Sequence, residues 1–161
     1  MQSGNLLQNG NFDEAVAPWQ GGIASANGAG LVVRNGQLCL DIPDSATGAA
    51  DAQMGQYRVA LYEGQPYQVD FDMVANASTT VRFMIGESEP PWSHYFETEV
   101  NLSTTLKHFS FNFVMQHPGD LNSLLTFHLG GQAATTICLD NVNVTNAQTG
   151  MQAVYLPLVG R

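Results

Sequence analysis

A chain of 161 residues is the length of one ordinary domain, and its 44% hydrophobic content argues against a disordered segment. Only 12% of residues are charged, and 14 acidic against five basic residues leave a net charge of −9. That balance disfavours nucleic acid and anionic membrane surfaces, which both need a basic face, and no apolar run approaches the ~20 residues of a helical membrane span. The polar surface must be mostly Asn, Gln, Ser and Thr, with Lys107 the only lysine. Such a surface suits an extracellular protein that meets neutral, hydrogen-bonding ligands.

Taken in chain order, Met1-Gln2-Ser3-Gly4 carries no secretion signal and reads as residues appended ahead of a mature domain. Trp19 follows Pro18 in a segment leading from the first strand and is expected in the core. A strand follows at Gln37-Leu38-Cys39-Leu40-Asp41-Ile42. Tyr67, Val69, Phe71 and Met73 then alternate with Gln68, Asp70 and Asp72. Val81, Phe83 and Ile85 alternate with Arg82 and Met84, and Phe109, Phe111 and Phe113 with His108, Ser110 and Asn112. Leu125, Phe127 and Leu129 alternate with Thr126 and His128, and Ile137, Leu139, Val142 and Val144 close the series. Asn9-Gly10, Asn27-Gly28, Asn35-Gly36, Glu63-Gly64, Pro90-Pro91, Pro118-Gly119 and Gly130-Gly131 mark the turns.

About ten short strands without intervening helices indicate an all-β antiparallel sandwich. A jelly roll fits better than an immunoglobulin fold, given the strand number and the lack of that fold's Cys…Trp…Cys spacing. No repeat or second domain is visible. The folded module is expected over 5–146, and 147–161, with its short apolar stretch Val154–Val159, reads as a linker or anchor region of a longer chain.

Cys39 and Cys138 both fall in strands near opposite ends of the chain. A bridge between them would close a loop of about 100 residues, worth about 4–5 kcal/mol in the chain-entropy model. The alternative is two buried thiols packed as small hydrophobes. No CxxC or Cys/His cluster points to zinc.

Catalytic signatures are missing: there is no G-x-S-x-G, H-E-x-x-H, phosphate loop or EF-hand loop. His94, His108, His117 and His128 lack metal spacing. Glu87, Glu89, Glu97 and Glu99 form the one carboxylate cluster, read as a turn beside Pro90-Pro91 and a solvated strand face rather than a glycosidase pair. The sequons at Asn76, Asn101 and Asn143 read as incidental. A non-catalytic protein is expected. Trp92 carries more information. It follows Pro90-Pro91 at a loop tip, where an indole stays partly exposed and can stack on the apolar face of a sugar ring.

Asn5-Leu6-Leu7, Asn9-Gly10-Asn11-Phe12-Asp13 and Trp19 resemble the opening of family 4 carbohydrate-binding modules and their family 9, 16 and 22 relatives. Gly36-Gln37-Leu38-Cys39, Glu63-Gly64-Gln65-Pro66-Tyr67, Val81-Arg82 and Phe127-His128-Leu129-Gly130-Gly131 follow in family order. Cys138-Leu139-Asp140-Asn141-Val142 resembles the family's closing Cys-Leu-Asp-Asp-Val. The likeness covers about residues 5 to 144 and is nearest to the tandem cellulose-binding domains of bacterial endoglucanases.

The resemblance implies a galactose-binding-domain-like jelly roll with a cleft on its concave face. It implies a monomeric, secreted, non-catalytic module of a glycoside hydrolase, linked to that enzyme's catalytic domain. The expected ligands are single β-linked chains: β-1,4-glucan (amorphous cellulose), β-glucan or xylan. It pairs Cys39 with Cys138. It implies one structural calcium, with Asn11, Asp13, Gly36 (through its carbonyl) and Asp140 as ligands. Cleft positions carry over to Arg82, Trp92, His128 and Tyr57. Gln53 joins them by sharing Tyr57's alternation parity, and Gln37 and Arg34 are further candidates. A second stacking tyrosine corresponds to Gly22 and a cleft glutamine to Leu124, which implies one fewer aromatic platform and a drier floor. The other reading weighed is an adhesion or protein-interaction module on the same sandwich.

Overall fold

The structure, a computed structural model, describes residues 4–13 and 15–147. Ten strands build it: β1 Gln20–Ile23, β2 Val32–Arg34, β3 Gln37–Ile42, β4 Ala52–Leu61, β5 Pro66–Ala75, β6 Thr79–Gly86, β7 His94–Leu102, β8 Lys107–Val114, β9 Asp120–His128 and β10 Thr135–Asn146. Two one-turn 3-10 helices, Ala24–Ala26 and Ala49–Asp51, sit between them. One sheet runs β1-β4-β9-β6-β7 and the other β2-β3-β10-β5-β8, with every pairing antiparallel. This is the expected β-sandwich jelly roll.

Alternation decides which side of each strand is dry. In β5, Tyr67, Val69, Phe71, Met73 and Ala75 are buried, and the residues between them are partly exposed. Phe71 packs on Phe83 and Phe127 of the facing sheet, with ring centroids 5.2 and 5.0 Å apart, and these rings centre the core. Trp19 is only 3% exposed and packs on Phe12, 5.4 Å away.

Among the described residues no strand precedes Trp19, and β1 starts after it. Asn9 and Phe12 take positive φ, and the Asn9 amide donates to the Ala15 and Ala17 carbonyls, so this stretch is a loop. It is nonetheless fastened to β10. Leu6 N–H donates to the Val144 carbonyl at 2.8 Å and Val142 N–H to the Gly10 carbonyl at 2.9 Å. A Cβ on Gly10 would lie 2.2 Å from the Val142 oxygen, so only glycine permits this approach.

Cys39 and Cys138 stand directly opposite in the β3–β10 register and are joined by a disulfide. The bridge closes a sequence separation of 99 residues. Residues 148–161, which include most of the 147–161 tail, lie outside the described residues. We expect the double variant Cys39→Ala/Cys138→Ala to lose about 3–5 kcal/mol of unfolding free energy, read by guanidinium denaturation. A loss below about 1 kcal/mol would mean that the unfolded chain is already compact.

Candidate functional site

The outer face of the β1-β4-β9-β6-β7 sheet follows from the same alternation. Met54, Leu125, Phe127, Phe83 and Ile85 point inward. Their neighbours must point outward, and the register stacks them in rows across the strands. Gln53, His128, Arg82 and Glu99 form one row; Gly55, Thr126, Met84 and Glu97 form the next. Leu124 and Gly86 lie opposite each other in a third, between Tyr57 on β4 and His94 on β7. A groove of about 410 Å³ lies over these rows, lined by Gln53, Tyr57, Met84, Gly86, Trp92, His94, Leu124, Thr126 and His128 among others.

Glycines keep the floor low. A Cβ on Gly86 would lie 2.3 Å from the Ser93 carbonyl oxygen, and one on Gly55 would lie 2.9 Å from the Leu125 oxygen. Leu124 and Met84 give the floor an apolar part. The Thr126 hydroxyl donates to the Met54 carbonyl at 3.1 Å.

The β6–β7 loop raises the rim. Trp92 N–H donates to the Glu89 carbonyl at 2.9 Å across the cis Pro90–Pro91 bond, which makes a type VI turn. Below it, Glu87 N–H donates to the Ser93 carbonyl at 2.8 Å, and Ser93 N–H to Glu87 Oε2 at 2.9 Å. Glu87 is thus the clasp of the loop. The indole held at its tip is 52% exposed, and Tyr57 across the groove is 38% exposed.

The polar groups are pre-oriented. Glu97 accepts from the Arg82 guanidinium and lies 3.0 Å from His94 Nδ1, so one carboxylate orients two cleft donors. His94 first and Arg82 second hold Glu97 below its ordinary carboxylate value. Glu97 and Glu99 share one face of one strand, so they are neighbours and not a pair opposed across the groove. The Gln53 amide donates to the Ala50 carbonyl at 2.9 Å. Burial, reinforced by the charges of His94 and Arg82, lowers the His128 pKa, so His128 is a neutral imidazole at pH 7.

Trp92, Tyr57, His128 and Gln53 therefore meet in one groove, with Arg82 beside His128. Gln37 does not join them. It starts β3 in the opposite sheet, and the buried Leu38 and Leu40 put its side chain on that sheet's outer face. Arg34 lies there too, in a two-bond pair with Asp41 at 3.0 and 2.7 Å. Met84 and Thr126 were legible by parity with Arg82 and His128. His94 was not, because a register shift between Ile85 and Gly86 brings it into place. At Gly22, with φ +108°, a Cβ would lie 2.3 Å from the Gly28 oxygen and 2.5 Å from the Ala29 oxygen, so this backbone admits no aromatic platform there.

The expected metal ligands lie on the far side. Asn11 donates to Asp13 Oδ2 at 2.9 Å. Asp140, at a bulge in β10, pairs across the register with Asp72. Burial first, then the charges of Asp72 and Asp13, raise the Asp140 pKa. Extending the β3–β10 register by one residue sets Gln37 opposite Asp140, with the Asn35-Gly36 turn next along the chain. The oxygen donors suit a hard cation. Among the described residues, no three His, Cys, Asp or Glu side chains form a metal cluster, so an ion here would also need Asn11 and backbone carbonyls.

A larger depression of about 560 Å³ lies at one end of the sandwich, beside Asp41, Asn76 and Thr136. Its polar groups bind one another: Thr136 N–H donates to Asn76, and the Thr136 hydroxyl to Asp41. No aromatic ring lines it.

Comparison with known proteins gives one consistent result. Residues 4–136 match the family profile described as carbohydrate binding domain. Endoglucanase C of Cellulomonas fimi is 27% identical over 150 residues, covering 89% of this chain and 13% of that protein. The chain thus spans a small fraction of this relative's length. The solved structure described as "CBM4 structure and function" has a TM-score of 0.78 at 29% identity, covering 86% of this chain and 98% of that one. The second N-terminal cellulose-binding domain of Cellulomonas fimi β-1,4-glucanase C has a TM-score of 0.73 at 25% identity, covering 92% of this chain and 98% of that one.

The two ring environments differ in a measurable way. In an NMR titration, His128 should inflect below the ordinary imidazole value of about 6.5 and His108 above it, because Asp72 and Asp70 hold the His108 proton. The two have opposite effects on stability. For His128 the unfolded chain takes up the proton first, so its contribution falls as pH drops below about 6.5. For His108 the stabilisation is complete below about 6.5 and is lost as pH rises through its raised folded value. Coincident inflections would contradict this assignment.

Proposed function

Since the chain belongs to the carbohydrate binding domain family, we propose that its groove holds a single chain of a β-linked polysaccharide, β-1,4-glucan foremost, with mixed β-glucan and xylan as the other candidates. The observation that carries this reading is a groove with an exposed aromatic ring on each rim and pre-oriented polar side chains beneath. A sugar ring has apolar CH faces and a girdle of hydroxyls. Trp92 and Tyr57 offer surfaces for the faces. Arg82, His128 and Gln53 offer donors and acceptors for the hydroxyls. Neutral His128 can do either, whereas an imidazolium only donates.

Glu97 acts through Arg82 and His94, whose orientations it restricts before a ligand arrives. Each good stacking or polar contact contributes on the order of 1 kcal/mol, so an affinity in the micromolar range or weaker is expected. Leu124 on the floor and the missing platform at Gly22 leave fewer polar and flat contacts, which keeps mixed β-glucan and xylan as candidates beside β-1,4-glucan. The whole protein is proposed to be a secreted glycoside hydrolase that uses this module to stay on its substrate. The endoglucanase relative and the neutral surface support that view.

We also propose a structural calcium ion held by Asp13 and Asp140, with Asn11 and the Gly36 carbonyl. The all-oxygen donor set supports it, because a hard cation is held by carboxylate, amide and backbone carbonyl oxygens. The ion would tie the N-terminal loop to β10 and would stabilise by mass action, about 2.7 kcal/mol at a hundredfold excess over Kd. Added calcium should raise the melting temperature, and Asp140→Ala should abolish the response. An unchanged melting temperature in the wild type would remove the ion from the proposal.

The functional test is calorimetric titration with cellohexaose, xylohexaose and laminarihexaose. Saturable binding to at least one is expected. Trp92→Ala should weaken it tenfold or more while changing stability by less than about 0.5 kcal/mol, since the indole is largely exposed. Full affinity in that variant would eliminate Trp92 as a platform.

A further inference from the structure

The groove does not stop at Tyr57. A second cavity of about 280 Å³ begins on the other side of that ring, lined by Pro18, Gln20, Gln56, Tyr57 and Arg58 among others. Strand pairing explains its existence. β1 covers β4 only from Ala52 to Gly55, with Gln20 opposite Gly55. Beyond Gly55 that flank of β4 has no strand beside it, and the N-terminal loop forms the far wall instead.

That wall is firmly set. Gln56 accepts from Gln8 N–H and donates to the Gln8 carbonyl, both at 2.9 Å. Trp19 Nε1 donates to the Asn9 carbonyl at 3.0 Å, which pins the same loop from beneath. Two side chains on this cavity are uncommitted. Among the described residues, neither the Gln20 nor the Arg58 side chain has a hydrogen bond or ion pair, whereas Arg34 and Arg82 are each paired with a carboxylate. Arg58 sits at φ +67°, where β4 shifts register against β9 between Gln56 and Val59.

The line from Trp92 over Gly86 and Leu124 to Tyr57 crosses β7, β6, β9 and β4 at a right angle to the strands. Prolonged by one more strand spacing, it enters this cavity, for a total run of about 19 Å. We propose that the cavity is an additional sugar subsite, in which Gln20 and Arg58 hydrogen-bond the hydroxyls of a unit that has passed Tyr57. It makes the module selective for longer chains. This inference rests on the glycan reading of the groove.

The test is affinity against chain length. Calorimetry with the triose and hexaose of whichever β-linked series the wild type binds should show about tenfold tighter binding of the hexaose, or 1.4 kcal/mol by RT ln K. In Gln20→Ala/Arg58→Ala, triose affinity should be unchanged and the hexaose advantage should fall below twofold. Equal melting temperatures would establish that both proteins are folded. A wild type that binds both lengths equally, or a double variant that keeps the full advantage, would overturn the subsite and leave the groove reading standing. Silence of the wild type towards every oligosaccharide would overturn both.

Discussion

Period-two alternation in β9 is the constraint on which the site depends. Leu125 and Phe127 are anchored in the core, and Phe127 packs edge-on against Phe71 of the facing sheet. With those two residues fixed, Leu124, Thr126 and His128 have one direction left, outward into the groove. A one-residue slip of β9 would put a histidine in the core and a phenylalanine on the floor. The hydrophobic effect therefore sets the orientation of the floor residues through their buried neighbours along the strand. β9 is also central, with β4 on one side and β6 on the other, so it sets the register of Gln53 and Arg82.

The rims are built differently. Trp92 gains little from burial. It is held by backbone geometry and by hydrogen bonds that close the 87–93 loop. Glu87 and Glu97 both have catalytic chemistry available to them, yet here each positions other groups: Glu87 clasps a turn, and Glu97 orients an arginine and a histidine. Exposed ion pairs contribute little to stability. What the Arg82–Glu97–His94 set supplies is restricted side-chain freedom at a site where a ligand would otherwise have to order it.

The opposite sheet carries the closure of the fold. β10 pairs with β3 and β5 along its edges, receives the N-terminal loop at its bulge, and is bonded to Cys39. That convergence fastens Leu6 and Gly10 to Val144 and Val142 from the far end of the sequence. The molecule thus divides its work: one sheet's outer face is a groove, and the other's holds the disulfide and the Asp72–Asp140 pair.

Much of this was legible in the chain. Alternation identified the sandwich, and Gly- and Pro-rich pairs located the turns. The parity change from Ile137 and Leu139 to Val142 and Val144 already encoded the β10 bulge. The exposed indole at Pro90-Pro91-Trp92 and the shared parity of Gln53 and Tyr57 were also readable, because they depend on local geometry. Tertiary structure alone decided the rest. The side of the sandwich on which Gln37 falls depends on which strands pair, and strand pairing is non-local. The arrival of His94 depends on a register shift at Gly86. The contact of Glu97 with Arg82 depends on the alignment of β6 with β7. The sequence by itself determined which residues face inward and which outward, since burial follows the pattern along each strand. Only the pairing of strands distant in sequence decided which outward residues share a groove, because that choice is made by the collective packing of the whole core.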